Sequence, residues 1–238
     1  MDYPFCITAG TQIGSAHVHA GKNNQDGWAI YQDQQIAIAI VADGCGSAPH
    51  SEVGAKLGSK LLCEIIRESA TDYSLDWEAI SDKFLWQIRA IADIMTTDVI
   101  QALHDYFLFT VVGCVITPLS GYIFFAGDGY YALNGNLCEL PAMQGNHPSY
   151  LTLSLLNPQF PARLTINQEI HNQAIDSILL ATDGFSEVAN QEIIADFIDN
   201  PKYRKNPDCI RRKLYLLQKE IGLADDTTLI IIKRVNYG

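Results

Sequence analysis

The chain has 238 residues and a formal charge of −11, from 27 acidic against 16 basic side chains. That field repels a polyanion such as DNA, and the one basic cluster, Arg211-Arg212-Lys213, falls in a helical stretch and reads as a solvated face. Six cysteines without a Cys-x-x-Cys pair exclude a zinc site, a dithiol redox motif or a disulfide scaffold. No apolar run approaches the ~20 residues of a membrane span. The opening Met-Asp-Tyr-Pro-Phe lacks a basic stretch followed by an apolar one, so no signal peptide is expected. A cytoplasmic protein with reduced thiols is the expectation.

Apolar β-type runs come first, at residues 5–9, 13–18, 28–32 and 35–42. The last is apolar on both faces and reads as a buried strand ending at the turn-rich Asp43-Gly44-Cys45-Gly46-Ser47. Two long helices are predicted next. Val53, Leu57, Leu61 and Ile65 mark the first. A continuous apolar stripe from Trp77 to Leu103 marks the second, about 27 residues and roughly 40 Å long. Strands return at 107–117 and 121–133, joined by Pro118-Leu119-Ser120-Gly121, then near 163–170 and 177–182. Glu139 to Pro161 reads as loops and short strands, 186–198 and 206–221 as helices, and 227–235 as a terminal strand. Neither a repeat nor a linker interrupts residues 1–238, so one domain is expected. Strands and helices fall in blocks, which predicts an α+β fold of antiparallel sheets with helices outside.

Four apolar strands carry aspartates at an end. Asp43 follows Ile-Ala-Ile-Val-Ala, Asp128 follows Tyr-Ile-Phe-Phe-Ala-Gly, Asp183 follows Ile-Leu-Leu-Ala-Thr, and Asp225-Asp226 precede Thr-Thr-Leu-Ile-Ile-Ile. If the last strand is antiparallel to its neighbours, all these carboxylates converge on one rim. Each of the first three is followed by Gly, which permits a tight turn and a close backbone carbonyl. One Asp-Gly after a strand is ordinarily a turn. Three of them, with an Asp-Asp before a fourth strand, point to a metal site. Clustered carboxylates raise one another's pKa unless a cation neutralises them, and oxygen-only ligands select Mg²⁺ or Mn²⁺.

Five segments in order resemble the motifs of the type 2C protein phosphatases: His17-Val-His-Ala-Gly-Lys-Asn-Asn-Gln-Asp26, Val41-Ala-Asp-Gly-Cys-Gly-Ser47, Ala126-Gly-Asp-Gly129, Leu180-Ala-Thr-Asp-Gly184 and Ala224-Asp-Asp-Thr-Thr228. The match spans roughly residues 10 to 235 and is similar to the compact bacterial branch. The resemblance implies a four-layer α-β-β-α sandwich of two antiparallel sheets. It also implies hydrolysis of phosphoserine or phosphothreonine in proteins by direct attack of a metal-bridging water. Asp43, with the Gly44 carbonyl, would hold two Mg²⁺ or Mn²⁺ ions with Asp183 and Asp225. Asp128, with Asp183, would hold a weaker third, and Asp26 would orient the attacking water. The implied partners are a phosphoprotein substrate and a cognate Ser/Thr kinase.

Two positions depart from the family pattern. Animal-type members place an Arg for phosphate five residues before the Asp of the opening motif; here Gly21 stands there, and the adjacent Lys22 is the candidate substitute. Asp226 stands where Asn is usual, and the register of Thr228 favours Asp225 as the metal-facing residue. His17 and His19, two apart in the strand expected at 13–18, would share one face, and His17 falls on the opening motif. His50 and Cys45 flank the Asp43 loop. The missing arginine supports a competing reading, a catalytically weak relative binding phosphoproteins as a regulatory module; the intact aspartates oppose it. A dinucleotide fingerprint at Gly44-Cys45-Gly46 fails at its third glycine, where Pro49 stands.

Overall fold

Two five-stranded antiparallel sheets pack face to face between layers of helices in this computed structural model, which describes residues 4–70, 72–141, 149–157, 159, 162–206 and 208–235. The first sheet runs β1 (Phe5–Gln12), β10 (Thr227–Arg234), β9 (Ser177–Ala181), β6 (Gly129–Leu133), β7 (Asn136–Leu140). The second runs β2 (Gly27–Gln32), β3 (Ala37–Ala42), β4 (Val111–Ile116), β5 (Ser120–Ala126), β8 (Thr165–His171). On the outer face of the second sheet lie α2 (Ser51–Ser69), α3 (Trp77–Met95) and α4 (Val99–Tyr106). On that of the first lie α6 (Gln191–Asp199), α7 (Pro201–Lys205) and α8 (Asp208–Ile221). Two short helices, α1 (Ser15–Ala20) and α5 (Leu153–Leu156), sit in connections. This is the α-β-β-α sandwich the sequence motifs imply.

The central strands are apolar along most of their length because both their faces are covered. Along β3, Ala37, Ala39 and Val41 enter the core between the sheets, while Ile38, Ile40 and Ala42 enter the core under α2 and α3. Along β10, Ile230 and Ile232 face the other sheet, and Leu229 and Ile231 face α6 and α8. The period of two therefore sorts residues between cores and not between core and water. Among the described residues no helix is long and apolar enough to cross a membrane.

The structure corrects several local expectations. The single helix expected from Trp77 to Leu103 is two: α3 closes at Thr96, and Asp98 caps α4 by accepting from Gln101 N at 3.1 Å. The apolar stripe runs through the break because Ile88, Ala92 and Leu103 join one core, so periodicity alone conceals it. The strand expected at 121–133 is also two, in different sheets. Gly127 at φ +94° and Gly129 at φ +135° carry the chain across, in a region of backbone space that favours glycine. The strand expected at 13–18 is α1, closed by Gly21 at φ +66°; a six-residue run is too short for its period to decide. The helix expected over 186–198 begins as a 3₁₀ turn, Asp183–Val188, before α6, and that over 206–221 corresponds to α8. Within 139–161 the structure gives the end of β7 and α5, and the rest of that expectation lies in part outside the described residues.

Candidate functional site

Strand ends bring the predicted aspartates together. β2 and β3 pair antiparallel with Gly27 opposite Ala42, so Asp26 and Asp43, one residue further along each strand, face each other. The Asp43 turn is pinned to the approach to β4: Thr110 N donates to Asp43 O at 2.8 Å, Cys45 N donates to Leu108 O at 2.9 Å, and Gly44 bridges Phe109. Asp183 follows β9, and β10, pairing antiparallel to β9, sets Asp225 and Asp226 at the same end. Asp128 occupies the crossing from β5 to β6. The close approach of chains here requires glycine at 184, where a Cβ would lie 2.0 Å from the Asp226 carbonyl oxygen.

Crowding and burial shift these carboxyls upward together. Burial, with the Asp226 charge adding, lifts Asp26 to about 7 against the lowering influence of Thr228, Asp43 and Thr182 beside it. Burial and the charges of Asp26, Asp183 and Asp225 hold Asp43 well above the carboxylate range. Burial, then Asp128 and Asp225, lifts Asp183 to about 6, and burial raises Asp128. These couplings trace a chain: Asp26 against Asp43, Asp43 against Asp183 and Asp225, and Asp183 against Asp128.

Asp225 and Asp226, adjacent in sequence, do different work. Asp226 is buried and accepts Gly14 N at 2.7 Å on Oδ1 and Gln25 N at 2.6 Å on Oδ2. His17 Nδ1 stands 2.8 Å from the same Oδ2, without the alignment of a hydrogen bond. An asparagine, with one acceptor oxygen, satisfies only one of the two amides; this accounts for an aspartate where the family pattern has Asn. Asp225 is exposed, accepts the Asp226 amide at 2.8 Å, and raises the pKa of Asp43 and Asp183. His17, Asp225 and Asp226 bring ligand-type atoms within 4.8 Å of one another. Both Asp226 oxygens are occupied by backbone donors, so Asp226 clamps the Gly14 and Gln25 amides, with the His17 ring beside it.

Three further residues were not singled out from the sequence. Thr182 Oγ1 donates to Asp26 Oδ2 at 3.0 Å, and Thr228 N donates to Thr182 Oγ1 at 3.0 Å, tying β2, β9 and β10 together behind the carboxylates. Gln25 reaches Ser51 Oγ at 2.8 Å and so joins the opening motif to the start of α2. The threonines lie inside Ala-Thr-Asp-Gly and Asp-Asp-Thr-Thr, so the motifs held the signal, but only the cross-strand pairing gives it meaning. Of the other predicted residues, Lys22 donates its ammonium to Gly46 O at 2.6 Å, on the loop after Asp43. His17 and His19 lie on a helix and not a strand. His50 stacks on Tyr106 with ring centroids 4.9 Å apart, and Cys45 Sγ contacts Ser47 Oγ at 3.1 Å.

The chemistry of the predicted donors suits a hard cation, although among the described residues the trio with ligand atoms within 4.8 Å of one another is His17, Asp225 and Asp226 and not Asp43, Asp183 and Asp225. Oδ1 of Asp26, Asp128 and Asp183 is buried with no hydrogen-bond donor. Among the described residues no lysine or arginine pairs with Asp26, Asp43, Asp128 or Asp183. Buried carboxylate oxygens lacking both donors and counter-charges are what oxygen-coordinated divalent ions satisfy.

An α-β-β-α sandwich with aspartates crowded at one end of its sheets is the class of fold and site defined here. A profile described as Protein phosphatase 2C matches residues 13–212, and the chain belongs to that family. Solved structures agree in fold. A bacterial serine phosphatase superposes with a TM-score of 0.60 at 14% identity, over 98% of each chain. Serine/threonine phosphatase Stp1 from Staphylococcus aureus gives 0.59 at 14%, over 99% of this chain and 98% of its own. The catalytic domain of the serine threonine protein phosphatase PstP, in complex with two manganese ions, gives 0.57 at 17%, over 98% and 99%. No curated protein sequence matches.

Asp226→Ala strands two buried amides and is expected to destabilise the fold by about 2–5 kcal/mol in urea melts. Asp225→Ala, at an exposed side chain, leaves the midpoint nearly unchanged. Equal losses in both would refute the division of roles.

In metal-free protein the raised carboxyls make stability depend on pH. Folded Asp26 and Asp183 titrate at about 7 and about 6 against an ordinary 3.8, so the folded state keeps protons that the unfolded chain has released. Their stabilisation is fully present below about pH 4 and is lost as pH rises through about 7. Melting in chelator should therefore occur at higher temperature at pH 5 than at pH 8, with Mn²⁺ closing the gap by raising the pH 8 value. A chelated protein equally stable at both pH values would contradict the crowding.

Proposed function

We propose that this chain is a divalent-cation-dependent phosphatase acting on phosphoserine and phosphothreonine in proteins. The observation that carries the reading is the carboxylate cluster, with three buried oxygens lacking donors and, among the described residues, no cationic side chain paired with it. In this reading Asp43, the Gly44 carbonyl, Asp183 and Asp225 hold two Mg²⁺ or Mn²⁺ ions, and Asp128 with Asp183 holds a weaker third. Such ions acidify a water and offset phosphoryl charge.

The chain's own residues supply the rest. Asp26, raised to about 7 and held by Thr182, is placed to orient the attacking water and exchange its proton near neutral pH. Burial of Asp26 and of the threonine pair keeps bulk water from the back of the site. Lys22 is the proposed cation for the substrate phosphate where the arginine is absent. The contact of its ammonium with the loop after Asp43 supports this, at the cost of exchanging the Gly46 carbonyl for the phosphate. The competing reading, a phosphoprotein-binding relative without turnover, predicts a damaged carboxylate set, and every predicted aspartate is present.

Hydrolysis of a small aryl phosphate should require Mn²⁺ or Mg²⁺, stop in chelator, and fall at least a hundredfold in Asp43→Asn with the circular dichroism unchanged. Full activity in chelator would overturn the reading.

Lys22→Ala should raise KM for a phosphopeptide several-fold with a smaller change in kcat, as loss of uniform binding does. An unchanged KM on both small and peptide substrates would remove Lys22 from the site.

A further inference from the structure

The sandwich is open along one side. β1 is the edge of one sheet and β2 the edge of the other, and the inter-sheet core reaches solvent between them. Ile7, Ala9 and Ile30 pack against that core yet are only partly buried, and Trp28 is 40% exposed. A cavity of about 490 Å³ opens here, bounded by Trp28, by Lys56 and Lys60 of α2, and by Asp26 of the carboxylate cluster. It shares Thr11, Trp28 and Ile30 with a second hollow of about 370 Å³ further along β1. Together they form a groove that starts beside the proposed catalytic centre and follows the open edges of both sheets.

The charge in this groove opposes the charge of the protein. In a chain of −11, Lys56 and Lys60 stand one helical turn apart, and neither forms an ion pair among the described residues. The acids four residues to either side on the same helix are engaged elsewhere: Glu52 by the Asn23 amide at 3.2 Å, and Glu64 by Arg67 at 2.8 Å. Lys56 donates to the Asn24 carbonyl at 2.8 Å, two residues from Asp26, so the positive charge adjoins the motif that enters the site. The ammonium of Lys60, an exposed residue, makes no hydrogen bond among the described residues. An exposed tryptophan beside unpaired lysines suits an extended segment that brings carboxylates to the rim and an apolar side chain to the floor.

We infer that this groove receives an acidic segment flanking the phosphorylated residue of a phosphoprotein substrate, and so selects substrates with acidic surroundings. The inference rests on the phosphatase reading and names the substrate class of that site. Further along β1 the groove is lined by one charge of each sign, Arg211 and Asp208, so beside Asp26 the two lysines decide the local sign and favour the approach of an acidic segment against the net charge and the carboxylate rim. Among the described residues β2 pairs with β3 alone, and its other edge lies along the same path and offers amides and carbonyls to an extended chain.

The test compares, in Mn²⁺, two phosphoserine peptides whose flanking residues are either glutamate or lysine, together with a small aryl phosphate. The wild type should show kcat/KM about ten-fold higher for the glutamate peptide, the order that one or two exposed ion pairs supply. Lys60→Glu should abolish or reverse the preference while leaving aryl phosphate hydrolysis unchanged, and Lys60→Arg should keep it. Equal kcat/KM for both peptides in the wild type, or a preference that Lys60→Glu does not alter, overturns the inference. If no aryl phosphate is hydrolysed, the phosphatase reading fails, and polarisation of the two fluorescein-labelled peptides decides the groove separately. Tighter binding of the glutamate peptide, weakened by Lys60→Glu, sustains it, and equal binding overturns it.

Discussion

Mutual repulsion among Asp26, Asp43, Asp128, Asp183 and Asp225 is the constraint around which the rest of this structure is arranged. Burial and neighbouring charge both oppose their ionisation, so the cluster costs folding free energy when no cation is present. The fold tolerates it because most of these aspartates sit at the ends of strands, such as β3, β9 and β10, whose apolar residues are sequestered on both faces. Three cores, one between the sheets and one under each helical layer, offset the strain at one rim.

That rim is held in shape by hydrogen bonds behind it. Thr182 ties Asp26 to β9 and β10, and Asp226 draws the amides of Gly14 and Gln25 onto the start of β10. The strand ends are thereby fixed relative to one another before any ligand arrives. Such preorganisation is what makes a constellation of repelling groups useful, since a cation then gains its full coordination without reordering the chain. The adjacent Asp225 and Asp226 divide this labour: Asp226 gives both oxygens to the Gly14 and Gln25 amides, while exposed Asp225 accepts the Asp226 amide on Oδ1 and adds its charge to the cluster.

Outside the rim, the open edges of β1 and β2 give the acidic protein a local surface of opposite sign. Both edges fall on one side because each sheet ends with a strand from the first third of the chain, and α2, which follows the Asp43 loop, lies over β2 with its lysines outward. The same segment of chain that supplies Asp26 and Asp43 thus also supplies the groove beside them.

By itself the sequence determined the α+β class, most of the strands and the identity of the clustered aspartates. Unbroken apolar runs such as 35–42 can be stable only when covered on both faces, and an Asp-Gly at the end of several such runs is rarely coincidental. The tertiary structure decided what periodicity cannot carry. The stripe from Trp77 to Leu103 stays apolar across the break at Thr96 because α3 and α4 share one core. Likewise 121–133 reads as one strand although Gly127 and Gly129 move the chain between sheets, since both strands are buried and show no change of pattern. The roles of Thr182, Gln25 and Asp226 depend on partners between 26 and 212 residues away. A local pattern records which residues avoid water; which distant backbone amide a carboxylate will find is fixed only when the strands pair.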